Sequence, residues 1–215
     1  MMFPRCFFLL SLIAAYRTAD ASYVNKDLEE NLRPTKAQLY PSFCNGLECP
    51  KYRLVKKYSG FEHRQYEATQ WISTEVPLSP DEPFTGDMDI RQYMDGTNSE
   101  GLYMEDTVPL VTMLTLENNK PVKMTLSVFL SANLKKPPKP LTSTIFLQKY
   151  PEVSLYVKSF GGIASDKDNI KQINTLATEL IVLGLPFDES ISAYNIYDPP
   201  DKSGDCYNEV WLFAV

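Results

Sequence analysis

Between Tyr52 and Ala214 the apolar residues recur at two spacings, and the spacing changes where turn residues fall. The β-rich runs 52–57 and 61–66 are joined at Ser59-Gly60, which predicts a hairpin, and 70–76 predicts a further strand. Ser79-Pro80-Asp81-Glu82 then reads as a helix start: a capping serine, a proline suited to the first helical position, and an acidic residue three places after the cap. Phe84, Met88, Arg91 and Met94 fall near one face of that helix, with Ile90 and Tyr93 beside them. Gly86 weakens its interior by about 1 kcal/mol relative to alanine. Gly96 is placed to end it in the left-handed conformation. Strands are predicted over 107–116 and 122–130, around a turn at 117–121, and Lys135-Lys136-Pro137-Pro138-Lys139-Pro140 reads as a stiff surface connection.

The same order then returns. Runs 145–149 and 153–160 predict strands, and Gly161-Gly162 turns the chain. Ser165 caps a helix with Asp168 three residues on, and Ile170, Ile173, Leu176, Ala177, Leu180 and Ile181 form a 3.6-residue stripe that Gly184 closes. Runs 191–197 and 208–214 are the last strands. The chain thus reads β-β-α-β-β twice, in an α+β domain over 51–215. The two halves together predict one antiparallel sheet or barrel with two packed helices and a pseudo-twofold repeat, since neither half alone holds enough core.

The N-terminus has a different character. Arg5, the apolar run 6–16 and Ala19-Asp20-Ala21 are in the order of a signal peptide, predicting cleavage after Ala21 and a secreted protein. The run is too short to span a bilayer, and no other segment is long and apolar enough to anchor one. Residues 22–50, polar and interrupted by Pro34, Pro41 and Pro50, read as an extended arm. Cleavage removes Cys6 and leaves Cys44, Cys49 and Cys206 in an oxidising compartment. Cys44 and Cys49 bracket Asn45-Gly46, a strong turn former, which favours a Cys44–Cys49 disulfide, with Cys49–Cys206 the alternative.

Charge and histidine count narrow the chemistry. The net charge of −6, or −7 once Arg5, Arg17 and Asp20 leave with the signal, argues against nucleic-acid binding. His63 is the one histidine, so two-histidine metal motifs are excluded and any histidine-based triad would have to centre on it. No nucleophile elbow, phosphate loop or paired glycosidase spacing is present, and no enzyme activity is expected.

Several motifs together resemble the SOUL/heme-binding protein family, closer to the second of its vertebrate types. Phe61-Glu62-His63-Arg64-Gln65-Tyr66 followed by Trp71 is similar to the family's Y-E-x-R-x-Y…W opening. Gly96-Thr97-Asn98 with Thr107-Val108-Pro109 resembles its G-x-N…T-x-P segment. Ser159-Phe160-Gly161-Gly162, Tyr197-Asp198-Pro199-Pro200 and Asn208-Glu209-Val210-Trp211-Leu212 resemble its later motifs. The Cys-x4-Cys-Pro entry is similar to that of its secreted members. The resemblance covers about 52–213 and implies a distorted antiparallel β-barrel with two helices and pseudo-twofold symmetry. It implies a non-enzymatic binder of heme and related porphyrins, held in an apolar cleft beside the first helix or ligated by a strand histidine.

That family histidine falls at Gln65 here, with His63 two residues earlier on the same strand face as a low-ranked substitute for axial ligation of iron. Helix positions that the porphyrin-binding branch keeps basic are Phe84 and Gln92, whereas Lys202 matches a basic position of the late loop. The expected cleft is walled by Phe84, Met88 and Ile90, with Arg91 and Lys202 meeting the propionates. The alternative is a binder of another apolar ligand, less anionic than heme, or of a protein partner without a cofactor.

Overall fold

A single antiparallel sheet of nine strands organises the described residues. The computed structural model describes residues 40–215 except 80, 119, 200, 201, 203 and 205. The predicted signal peptide and residues 22–39 of the predicted arm lie outside the described residues. The strands are β1 (Tyr52–Lys57), β2 (Glu62–Tyr66), β3 (Thr69–Val76), β4 (Leu110–Glu117), β5 (Lys120–Leu130), β6 (Ile145–Tyr150), β7 (Val153–Gly161), β8 (Phe187–Ile196) and β9 (Tyr207–Ala214). Helix α1 (Gly86–Met94) lies between β3 and β4, and helix α2 (Asp166–Leu183) between β7 and β8.

The sheet order is β1-β2-β7-β9-β8-β4-β5-β3-β6. Apart from β1, it is a palindrome of two equivalent halves, β2-β3-α1-β4-β5 and β6-β7-α2-β8-β9. The β4–β8 ladder, with Leu110 opposite Ile196 and Thr115 opposite Ile191, sits on the pseudo-dyad. This is the predicted repeat with one added strand, β1, at the edge. The ladder ends at β1 and β6 and is not closed into a barrel.

The outermost strands of the two halves are exchanged. β2 pairs with β7, and β3 with β6, in one unbroken register from Glu62 opposite Val157 to Thr74 opposite Ile145. The two chains of this ribbon bend together at 67–68 and 151–152. Before the bend Arg64 and Tyr66 face away from the helices; after it Trp71 and Ser73 do, the odd five-residue step from Tyr66 to Trp71 changing the alternation so that the same face of the sheet stays supplied. Trp71 on β3 and Trp211 on β9 are four strands apart in the ladder, about 19 Å if the sheet were flat. They share one apolar cluster with Tyr66, Val111, Phe129 and Leu155, so the sheet curls around it.

The helices cover the other face, one per half. Ile72, Ile90, Tyr93, Met94, Leu130 and Ile145 fill the space beneath α1, and Phe61, Tyr156, Leu176, Leu180, Val210 and Leu212 the space beneath α2. Helix α2 starts as predicted: the Ser165 hydroxyl accepts from the Asp168 N–H at 3.2 Å, and the Asp168 carboxylate accepts from the Ser165 N–H at 3.0 Å. Gly184 follows in the left-handed conformation, φ 64°. Its inward stripe is narrower than predicted. Ile173, Leu176, Ala177 and Leu180 pack down, while Ile170 and Ile181 are 50% and 66% exposed.

Helix α1 departs further from expectation. It begins at Gly86, not beside Ser79, because Pro83 disfavours helical backbone at Glu82. Ser79 instead closes a turn, its carbonyl accepting from Glu82 N–H. Gly86 is not an interior weakness but a contact. A Cβ there would stand 2.1 Å from the Thr74 hydroxyl oxygen on β3. The end at Gly96, φ 101°, is as predicted.

Candidate functional site

Arg64, Tyr66, Tyr197, Glu209 and Trp211, from three of the motifs that carry the sequence resemblance, meet in one buried network. Glu209 on β9 is fully buried and its carboxylate accepts four hydrogen bonds. Arg64 Nη1 and the Tyr207 hydroxyl donate to Oε1, both at 2.8 Å; the Tyr197 hydroxyl and Trp211 Nε1 donate to Oε2 at 2.7 and 2.9 Å. Arg64, 3% exposed, also donates to the Tyr66 hydroxyl at 3.0 Å and to Glu62 at 2.8 Å, and its guanidinium lies 4.3 Å from the centre of the Tyr52 ring. Burial opposes the Arg64 charge, but Tyr66 and Glu209 hold it and raise its pKa. Burial, followed by the Glu209 charge, pushes the Tyr66 and Tyr197 hydroxyls well above their usual range. With four donors on this carboxylate, the network ties β2 to β9 and to Tyr197 at the end of β8.

The arm end is folded onto this network. Ser42–Cys44 forms a 3-10 turn, Asn45 follows in the left-handed conformation (φ 54°), and Cys44 and Cys49 are joined by a disulfide with Cα atoms 6.2 Å apart. Asn45 Nδ2 donates to the Asp198 carboxylate at 2.8 Å, and Phe43 stacks on Tyr207 with centroids 4.6 Å apart. Cys206 stands outside the bridge, its Sγ 3.8 Å from the Lys202 carbonyl, so the alternative Cys49–Cys206 pairing is not formed.

The predicted binding residues fall in three separate places. Met88 is 60% exposed on the outer face of α1, and Phe84 is half-buried in the approach to that helix. Arg91 lies on the flank of α1, its Nε 3.9 Å from Asp95. Ile90, by contrast, is 2% exposed and packs inward on β3 and β6; it belongs to the core and walls no open slot. Lys202 is on the β8–β9 loop, its ammonium 2.5 Å from Asp198. Burial alone would raise the Asp198 carboxyl, but Lys202, the Tyr207 N–H and Asn45 hold it below the usual carboxylate range.

His63 lies on the exchanged strand β2, beside the second half. It sits on β2 opposite Tyr156, on the α2 side of the sheet, with its ring centroid 4.8 Å from that of Tyr156. Its Nε2 shares a 2.6 Å hydrogen bond with the Ser154 hydroxyl, and burial lowers its pKa below the usual value of 6.5. Along the ribbon His63 is nine residues from Ile72, which lies under α1, or about 30 Å of strand. His63 thus stands with the cluster under α2 and not with the residues of α1.

Helix α1 has cationic neighbours that composition and spacing did not point to. The Pro-rich loop is docked along it. The Tyr93 hydroxyl donates to the Pro138 carbonyl at 2.8 Å, the Lys139 N–H donates to Ser99 at 2.8 Å, and the Thr144 hydroxyl donates to Asp89 at 2.6 Å. Pro137 and Pro138 are buried while Lys135, Lys136 and Lys139 are exposed. The sequence shows the lysines but not their place, because the tethers span 40 residues or more.

The chain is similar to several known proteins. The SOUL heme-binding protein family matches residues 47–213. Heme-binding protein 2 of Homo sapiens is 28% identical over 195 residues, covering 86% of this chain and 95% of that protein. Heme-binding protein 1 of Xenopus laevis is 30% identical over 182 residues, covering 80% of this chain and 94% of that protein. Among solved structures, a hydrolase of Listeria innocua overlaps at a TM-score of 0.48 and 12% identity, covering 72% of this chain and 93% of that one. With its two-helix, nine-strand sheet and a match that spans nearly all of the described residues, the chain belongs to the SOUL heme-binding protein family.

Proposed function

We propose that the protein is a secreted, non-enzymatic binder of heme or a related tetrapyrrole, and that the porphyrin lies against the outer face of α1. What supports the placement is exposed apolar surface on α1 together with cations on its flank and on the loop tied to it. Met88 and Phe84 offer apolar contact, and the loop docked along α1 carries Lys135, Lys136 and Lys139, with Arg91 on the helix flank. Porphyrin needs this combination: an apolar rest for the ring and cations for the propionates. These lysines take the part that the substituted helix positions Phe84 and Gln92 do not supply. The Cys44–Cys49 disulfide supports the secreted reading, since such bonds persist in oxidising compartments.

A hemin titration of the purified chain tests this. The Soret band is expected to shift with micromolar or tighter affinity. Met88→Glu should abolish the shift. Replacing the three loop lysines by glutamine should weaken binding about tenfold and flatten its salt dependence, as loss of a few exposed charge contacts does. His63→Ala should leave the Soret band in place. An unchanged hemin spectrum with the wild-type chain overturns the proposal.

A further inference from the structure

The face of the sheet away from the helices holds a half-open pocket of about 40 Å3 that is distinct from the α1 surface. Its walls include Tyr66, Trp71, Val111, Leu155 and Trp211, and its half-buried rim includes Met113, Tyr150, Val153 and Phe213. No charged side chain lines it. It is far too small for a porphyrin, whose pockets run to several hundred Å3, and a small ring fits it by also occupying the open mouth between Met113 and Tyr150.

Each polar atom of the wall already has a partner. Trp71 Nε1 donates to the Thr69 hydroxyl at 2.8 Å, Trp211 Nε1 donates to Glu209, the Tyr66 hydroxyl accepts from Arg64, and Ser127 bonds Ser73 at 2.8 Å. A trapped water needs two to four polar partners, which this lining does not supply. The rim differs. The Tyr150 hydroxyl is directed at the Met113 sulfur at 3.6 Å, a weak acceptor, with the Gln148 side chain as its other polar neighbour. It is therefore a donor at the mouth whose present partner a carbonyl or ether oxygen would better. Met113 is unbranched and flexible, so its rotation widens the entrance at low cost.

We infer that this cavity binds a compact, uncharged apolar molecule carrying one hydrogen-bond acceptor, admitted between Met113 and Tyr150. The acceptor meets the Tyr150 hydroxyl and the apolar body rests against the two indoles. The inference stands independently of porphyrin binding, which involves the opposite face of the sheet.

The molecule supplies its own reporter: Trp71 and Trp211 are its two tryptophans, and both line the cavity. Cyclohexanone is the probe, with cyclohexylammonium and cyclohexanecarboxylate as charged counterparts of similar shape, followed through the two indole N–H resonances of the 15N-labelled chain. Cyclohexanone should shift both resonances saturably, and the charged pair should shift neither at equal concentration. Tyr150→Phe should weaken binding about twofold to tenfold, the worth of one hydrogen bond. Met113→Ala should tighten it, and Val111→Phe, which fills the cavity, should abolish it while the far-ultraviolet circular dichroism stays native. Indole resonances that do not move in either the wild type or Met113→Ala overturn the inference. So do equal shifts from the charged probes, or undiminished binding in a natively folded Val111→Phe.

Discussion

Replacing Glu209 by glutamine should unfold this protein more readily than almost any other single-atom-scale change. Glu209 is fully buried and takes hydrogen bonds from Arg64, Tyr207, Tyr197 and Trp211. Glutamine keeps one acceptor oxygen and turns an N–H2 group toward donors. It also strips the 3%-exposed Arg64 of its buried counter-charge, leaving only Glu62, whose side chain is 25% exposed. Breaking a buried pair from one side costs about 3–5 kcal/mol. For a domain of this size each kcal/mol is about 2–4 °C, so Tm should fall by about 6–20 °C. Urea unfolding followed by circular dichroism measures the change. A double-mutant cycle isolates its cause: in an Arg64→Met background, Glu209→Gln should cost less than in the wild type by at least about 1.5 kcal/mol, because no orphaned guanidinium is left. A cost below about 1 kcal/mol, or equal costs in both backgrounds, would refute the assignment of the network as the seam of the fold.

Other expectations follow from single contacts. Gly86→Ala, which raises helix propensity, should nonetheless destabilise by about 1–3 kcal/mol because the new methyl meets Thr74, and calorimetry of the variant decides the sign. Since the folded His63 titrates below 6.5, its contribution to stability is present above pH 6.5 and is lost as pH falls through the folded value; an imidazole NMR midpoint at or above 6.5 would contradict this. Tyr66, Tyr197 and Tyr207 titrate above 10 in the folded chain and burial pushes Tyr93 up to about 12, so the unfolded state sheds these protons first. Stability should therefore fall as pH rises above 10, with the Tyr93 contribution lost by about pH 12; tyrosinate absorbance that rises fully near pH 10 while the fold stays native would rule this out.

How far the structure was legible in the sequence depended on whether local and long-range signals agreed. Helix α2 was legible because Ser165, Asp168, the apolar stripe and Gly184 all point the same way within 20 residues. The repeat and the Cys44–Cys49 turn were readable for the same reason. The start of α1 was not, since Ser79-Pro80-Asp81-Glu82 is a sound capping signature and what cancels it is Pro83 and the seat of Gly86 on Thr74, a contact with another strand. Which side of α1 meets the sheet was not legible either: packing buries Ile90 against β3 and β6 and leaves Met88 on the outer face. The Arg64–Glu209 pairing spans 145 residues, and no pattern in either segment announces the other.

The exchanged ribbon has a consequence for how the chain comes apart and together. Each half lends its outer strand to the other, as two subunits do when they swap an arm, but here one polypeptide holds both partners. A chain cleaved in the 131–144 loop would thus yield two fragments of like topology, each with an orphaned strand and a complementary vacancy. Mixed, they should reassemble noncovalently across the β4–β8 and ribbon ladders, and alone each should pair with copies of itself. The covalent link between the halves therefore sets which partner each half finds, and the protein can be regarded as an obligate dimer whose subunits are tied at one end.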